Sequence, residues 1–343
     1  MARSDAVLTI DNLKVTFDTE EGLVRAVDGV SLEMARGRIT GIVGESGCGK
    51  SVTSLAILRL IQHPGRIESG TIRFHPRDNE TIDITGLEES AEELYQIRGG
   101  GISMIFQEPM TALSPVHTVG DQICEALRLH LGAEPDEART RAVEMLERVG
   151  IPGAEQRIDQ YPFEMSGGMR QRVVIAMALV CGPEIVIADE PTTALDVTIQ
   201  AQIMRLMKDL QRDLGTSILL ITHDLGVVAQ LCDDVAVMYL GRIVEQADVR
   251  TVMKAPRHPY TMALLRSLPS LAMDKEQLPS IAGSVPSLAA LPPGCPFHPR
   301  CPHAVSGECD RGAPPAMESV GPGHGVACFR LAQIEETQVG GAA

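Results

Sequence analysis

Eight consecutive residues, Gly44-Glu45-Ser46-Gly47-Cys48-Gly49-Lys50-Ser51, fit the pattern G-x-x-x-x-G-K-[ST], and Val52 follows as the opening of a helix. Glycines let backbone N–H groups wrap around phosphate oxygens with no Cβ in the way, and a helix N-terminus adds positive potential. Lys50 can then reach the β- and γ-phosphates of a nucleoside triphosphate, while the Ser51 hydroxyl can ligate Mg²⁺. A second stretch, Glu184-Ile185-Val186-Ile187-Ala188-Asp189-Glu190, is an apolar run that ends in two carboxylates. It reads as a buried parallel strand, and open α/β sheets bind ligands at the carboxyl ends of such strands. There Asp189 would hold Mg²⁺ through water and Glu190 would serve as general base on an attacking water. A third stretch, Ser166-Gly167-Gly168-Met169-Arg170-Gln171-Arg172, precedes a long apolar helix. Ser166, Gly167 and Gly168 could form a second anion-binding helix terminus, although an ordinary helix cap explains the same residues.

A different chemistry is suggested near the C-terminus. Four of the eight cysteines, Cys295, Cys301, Cys309 and Cys328, cluster with spacings of x5, x7 and x18. No C-x-x-C occurs among them, so neither a zinc ribbon nor a thioredoxin-like motif is supported. Four thiolates suit either Zn²⁺ or an iron–sulfur cluster, and His298, His303 and His324 leave a mixed Cys/His zinc site open. The segment is rich in proline, with 13 of the 22 prolines in residues 251–343. Having little core of its own, it is expected to need a bound metal as folding nucleus.

The elements that must position these residues are strands and helices in alternation. Leu8–Val15 and Gly22–Leu32 read as strands, and an apolar run from Ile39 leads through the glycine-rich turn to a helix at Val52–Ile61. Glu68–Ile84 reads as further short strands, and the pattern from about Glu88 to Gly150 is helical. The apolar runs Glu184–Glu190 and Ser217–Asp224 flank an amphipathic helix at Thr198–Leu214. Parallel βαβ units, and so an α/β sheet, follow from that order. A short helix at Tyr260–Leu268 precedes the cysteine-bearing segment, and Gln333–Ala343 reads as a frayed tail.

Composition narrows the partners. A formal charge of -15 disfavours nucleic acid and anionic bilayers, and 3% aromatics with no Trp leave little for stacking bases. Met1–Asp11 lacks the long apolar core of a signal peptide. The longest apolar run, Val173–Ala188, is broken by Gly182, Pro183 and Glu184, short of a bilayer span. A cytosolic protein is expected, in which clustered cysteines are more often metal ligands than disulfides.

The order and spacing of the phosphate loop, the Ser-Gly-Gly stretch and the Asp-Glu strand resemble the ATP-binding cassette ATPases. Other residues extend the likeness over roughly residues 7–250. Gln107 matches the Q-loop glutamine, Ala194-Leu195-Asp196 the D-loop, His223 the switch histidine, and Phe17 the aromatic that stacks on adenine. The sequence also resembles the ATPase subunits of bacterial dipeptide/oligopeptide importers. Glu45-Ser46-Gly47, Phe106-Gln107-Glu108-Pro109-Met110-Thr111-Ala112-Leu113, and His258-Pro259-Tyr260-Thr261 followed by Leu264-Leu265 carry that likeness, with the C-terminal cysteine pattern. Met169 stands where the general signature has Gln, which is usual in this subgroup, and Ser114 where Asn is common.

The resemblance implies an α/β P-loop NTPase with a RecA-like core, an antiparallel β subdomain and a helical signature subdomain at about 90–170. The cassette would span 1–255 and a small loop-rich extension 256–343. ATP and Mg²⁺ are implied, with Lys50, Gln107, Glu190 and His223 catalytic and Ser51, Gln107 and Asp189 around Mg²⁺. The four clustered cysteines would hold a 4Fe–4S cluster, with Zn²⁺ as the alternative. Implied partners are a related second ATPase in a heterodimer, two integral membrane permeases contacted by the loop Gln107–Asp121, and an extracytoplasmic solute-binding protein. The chain would lie peripherally on the cytoplasmic face of the inner membrane. Di- and oligopeptides are the expected cargo; relatives of the subfamily also serve nickel, glutathione, opines and oligosaccharides. Cassette proteins acting on ribosomes or DNA carry two cassettes or a long coiled coil, and P-loop kinases and GTPases lack the Ser-Gly-Gly stretch and the switch histidine.

Overall fold

Alternating apolar and polar residues near the N-terminus set up a pair of long strands, and the apolar runs further along set up buried ones. A computed structural model describes residues 5–20, 22–107, 112–192, 196–267 and 281–334. In chain order its strands are β1 (Ala6–Thr19), β2 (Gly22–Ala35), β3 (Ile39–Val43), β4 (Gly65–Phe74), β5 (Ile82–Asp83) and β6 (Ile102–Ile105). There follow β7 (Ile185–Asp189), β8 (Ser217–Thr222), β9 (Asp234–Tyr239), β10 (Arg242–Asp248), β11 (Glu318–Gly321) and β12 (His324–Val326). The α-helices discussed below are α1 (Lys50–Ile57), α2 (Glu92–Gln96), α3 (Val119–Leu131), α4 (Pro135–Arg148), α5 (Ala154–Arg157) and α6 (Gly167–Leu179). They continue with α7 (Val197–Leu214), α8 (Leu225–Leu231), α9 (Val249–Lys254) and α10 (Pro259–Arg266). No helix among the described residues is long and apolar enough to cross a membrane.

The chain divides into two units. The first comprises residues 1–9, 33–39 and 73–221. Its centre is a parallel sheet in the order β8-β7-β6, with Ile102 opposite Ile185 and Ile185 opposite Ser217. All five residues of β7 are buried, as a continuous apolar run requires. Helices α3, α4 and α6 pack on one another. A reciprocal Thr118–Asp121 capping box starts α3, and left-handed Gly132 ends it. Strand β6 interrupts the stretch expected to be helical throughout. Its four apolar-rich residues are too few for periodicity to separate a buried strand from a helix.

The second unit comprises residues 10–32, 40–72 and 222–343. One of its sheets has the order β2-β1-β4, where the two-residue link between β1 and β2 makes that pair an antiparallel hairpin. The other has the order β11-β12-β10-β9-β3, in which β3 runs parallel to β9 and the remaining pairs are antiparallel. Helix α1 begins two residues earlier than expected and ends sooner, because Arg59 adopts φ +54°. The hairpin β11–β12 lies within the proline-rich segment read as loop. Its strands are three and four residues long, and β12 gains its place by pairing with β10 (Glu245 opposite Val326), a partner remote in sequence.

Candidate functional site

In the second unit, β3 delivers the chain into the glycine-rich loop and α1 receives it. The loop must pass close to its surroundings. A Cβ at Gly44 would lie 2.1 Å from the Met238 carbonyl oxygen, and one at Gly49 2.2 Å from that of Ala26. Gly49 also takes φ +102° as the N-cap of α1, a conformation that favours glycine. Lys50 is buried, and its Nζ donates to the carbonyls of Gly44 (2.9 Å) and Glu45 (3.0 Å). Ser46 and Gly47 form the exposed tip, and Ser51 and Val52 are half-buried at the helix start. Cys48 is buried, which pushes its thiol pKa up; a low-pKa nucleophile is not what this position supplies. The half-buried Phe17 ring packs on the backbone of Gly65, where a Cβ would come within 2.5 Å of it. His223 is exposed just beyond β8, between Thr222 and Asp224; the Asp224 carboxylate caps α8 by accepting from the N–H groups of Gly226 and Val227.

In the first unit, β7 ends in Asp189, which is buried, and Glu190, whose φ is +46°. That left-handed backbone is costly for a non-glycine residue and aims the Glu190 side chain where a continuing strand would not. Its N–H donates to the Ile221 carbonyl at 2.9 Å, which ties the turn to β8. Gln107, two residues past β6, donates from Nε2 to Glu190 Oε2 at 3.4 Å. Two residues foreseen separately are thus brought together by adjacent parallel strands. Ser166 caps α6 by accepting from the Met169 N–H at 3.4 Å, with Ser166 and Gly167 exposed. A Cβ at Gly168 would meet the Ile199 side chain at 3.4 Å. Asp196 caps α7 by accepting from the N–H groups of Thr198 and Ile199. Ala194 and Leu195 of the D-loop, and Glu108–Thr111 of the Q-loop, lie outside the described residues.

Some structurally important residues escaped the sequence reading. Gln171, fully buried, donates from Nε2 to the Pro191 carbonyl at 2.6 Å, one residue past Glu190. Arg300 forms a bidentate ion pair with Glu45 (2.6 and 3.0 Å), and the Tyr260 hydroxyl accepts from the Glu45 N–H at 2.9 Å. Tyr260 lay inside a quoted motif but had no role there; Arg300 carries no local signal.

The cysteine-bearing segment has more core than expected. Tyr239, Tyr260 and Phe297 form a cluster with ring centroids 4.6 to 5.3 Å apart, edge-on between Tyr239 and Phe297. Val326 and Ile334 are also buried, so Ile334 belongs to the folded part and not to a tail. The sequence reading missed this core because Tyr239 comes from β9. Glu245, fully buried, accepts from the N–H groups of Arg257 and His258 and pairs with His324 Nε2 at 2.9 Å. Cys295, Cys301, Cys309 and Cys328 line a single recess with His258, Phe297 and Ile334. The Cys295 N–H donates to the Cys309 carbonyl at 2.9 Å. Burial pushes the Cys295 thiol up to about 11 and Cys328 up to about 12, and neighbouring thiolates add to both. Among the described residues, no three His, Cys, Asp or Glu side chains are grouped closely enough to hold a metal ion.

Residues 27–193 match the family described as ABC transporter, and residues 244–309 the one described as oligopeptide/dipeptide transporter, C-terminal region. A Brucella abortus (strain 2308) relative is 51% identical over 335 residues, 96% of this chain and 98% of that protein. Dipeptide transport ATP-binding protein DppD of Escherichia coli (strain K12) is 47% identical over 323 residues, 94% of this chain and 96% of its own. Among solved structures, the ATP-binding cassette MJ0796, in a dimeric post-hydrolysis state bound to ADP and Pi, superposes with a TM-score of 0.61 at 29% identity. The match covers 71% of this chain and 99% of that one. With relatives of this identity aligned nearly end to end, the chain belongs to the ATP-hydrolysing subunits of the ABC transporter family that carry the oligopeptide/dipeptide transporter C-terminal region.

Proposed function

We propose that this chain hydrolyses ATP to power the import of di- or oligopeptides through partner membrane permeases. One observation carries the reading: the C-terminal segment matches the oligopeptide/dipeptide transporter region, in a chain whose relatives align along almost its whole length. The chain works in this reading as a cassette, residues 1–255, with an extension, 256–343. It pairs with a second related ATPase and docks peripherally on two permeases at the cytoplasmic face of the inner membrane. An extracytoplasmic binding protein delivers the peptide. Phe17 stacks on the adenine, and the backbone from Gly44 to Val52 cradles the phosphates. Ser166, Gly167, Gly168 and Asp196 complete the site of the paired subunit.

Ser51, Gln107 and Asp189 would hold Mg²⁺, which would supply charge neutralisation at the phosphates. Lys50 donates to the phosphate oxygens. Glu190, which accepts from Gln107 Nε2, takes a proton from the attacking water, while His223 and Lys50 stabilise charge on the γ-phosphate. Positioning and electrostatics supply most of the acceleration in such transfers.

The recess lined by four cysteines suits a metal group in its donor set. That donor set suits either an iron–sulfur cluster or Zn²⁺, and the likeness to the peptide-importer ATPases is what favours the cluster. Cys295, Cys301, Cys309 and Cys328 would hold a 4Fe–4S cluster as thiolates, and the metal charge would favour the deprotonation that burial opposes at Cys295, Cys301 and Cys328.

The deciding experiment reconstitutes the chain with its permeases and second ATPase in vesicles. Labelled dipeptide should accumulate only with ATP, and hydrolysis should rise with dipeptide-loaded binding protein. Uptake of nickel or an oligosaccharide in place of peptide would reassign the cargo.

A further inference from the structure

Glu45 fills a position where the phosphate-loop pattern accepts any residue, yet it carries a negative charge on a loop built to receive anions. Unneutralised, that carboxylate would repel the ligand. The structure neutralises it from 255 residues away. Arg300, whose side chain is only 3% exposed, grips both carboxylate oxygens in a bidentate pair. The guanidinium is itself fixed: Nε donates to the Ala282 carbonyl, and the group lies 5.9 and 6.0 Å from the ring centroids of Tyr239 and Phe297. The Glu45 backbone is held as well. Its N–H donates to the Tyr260 hydroxyl, and its carbonyl accepts from Lys50 Nζ. Side chain, N–H and carbonyl of one loop residue are therefore each engaged, two of them by the C-terminal extension.

We propose that Arg300 and Tyr260 are positioning residues for the phosphate loop: by cancelling the charge of Glu45 and fixing its peptide, they let the extension set the affinity of the loop for nucleotide phosphate. The proposal rests on the reading of residues 44–51 as the nucleotide site. It assigns to a segment outside the cassette a direct part in ATP binding.

The test is a calorimetric titration of the full-length chain with MgATP. Lys50→Ala controls for the reading beneath the proposal: if it binds as the wild type does, the nucleotide site lies elsewhere and the proposal falls with it. With that control abolishing binding, Arg300→Ala should weaken MgATP about tenfold. Glu45→Gln in the same chain should restore most of the loss, because the neutral amide no longer needs a counter-charge. Tyr260→Phe, which keeps the ring and removes only the hydroxyl, should weaken binding by about threefold. Should Arg300→Ala fail to fold, Arg300→Lys serves in its place: it keeps the charge but loses the fork, so it should weaken MgATP by less than about tenfold, with Glu45→Gln again restoring most of the loss. Arg300 variants that bind MgATP as the wild type does, or a loss that Glu45→Gln leaves uncorrected, would overturn the proposal. A residue that merely stabilised the extension would lower the melting temperature without that rescue.

Discussion

Gln107 Nε2 stands 3.4 Å from Glu190 Oε2 and donates to it. The two residues are 83 positions apart, yet each follows the carboxyl end of one of two adjacent parallel strands, paired with Ile105 opposite Ala188. The side-chain amide thereby orients a carboxylate whose own backbone sits at φ +46°. An orienting donor on a candidate base is an arrangement that positions proton transfer, and it makes Glu190 the first residue to test.

Glu190→Gln should abolish steady-state ATP turnover, with a fall of at least about a hundredfold, because the amide cannot take a proton. Bound ATP should persist. Phosphate release and the ATP-to-ADP ratio on the purified complex measure both, and an unchanged rate would remove Glu190 from the mechanism.

Gln171→Leu should separate activity from stability. The substitution frees the Pro191 carbonyl of its donor but also removes Gln171 Oε1, a buried atom with no hydrogen-bond partner among the described residues. One orphan replaces another, so stability should change by less than about 1 kcal/mol. The turn after Glu190 loses its anchor, and kcat should fall severalfold. Equal loss of melting temperature and kcat would make Gln171 purely a core residue.

Acid should destabilise the second unit through His258. Burial lowers its pKa from 6.5 to about 3, so at intermediate pH the unfolded chain binds a proton that the folded chain refuses. The resulting stabilisation is complete above about 6.5 and is lost as pH falls toward about 3. The melting temperature should drop across that window. His258→Asn keeps an N-cap acceptor for the Tyr260 N–H and should flatten the drop. A wild-type slope retained in the variant would assign the acid sensitivity elsewhere.

The proposed cluster is tested directly, and its removal should loosen the cysteine recess without unfolding the chain. Anaerobically purified protein should contain iron and sulfide and absorb near roughly 400 nm. Chelation under oxidant, or Cys309→Ser with Cys328→Ser, should lower the melting temperature yet leave the native circular dichroism, since the aromatic cluster of Tyr239, Tyr260 and Phe297 persists. Colourless protein loaded with zinc would replace the cluster with the alternative ion.

What the sequence determined by itself was everything whose chemistry needs neighbours along the chain. A phosphate cradle requires consecutive N–H groups and then a helix, so Gly44–Ser51 can be read as a string. The carboxylates Asp189 and Glu190 must end a buried strand, so an apolar run followed by acids announces them. The cap Ser166 is likewise local. Tertiary structure alone decided the contacts that close over long separations. Arg300 reaches Glu45 across 255 residues, Glu245 reaches His324 across 79, and Tyr239 of β9 supplies the core that the proline-rich segment lacks. Such pairs leave no periodicity or spacing, because an ion pair or ring contact depends on where the sheet brings two surfaces together. For the same reason β12 became a strand only where the edge of β10 offered it unpaired backbone groups.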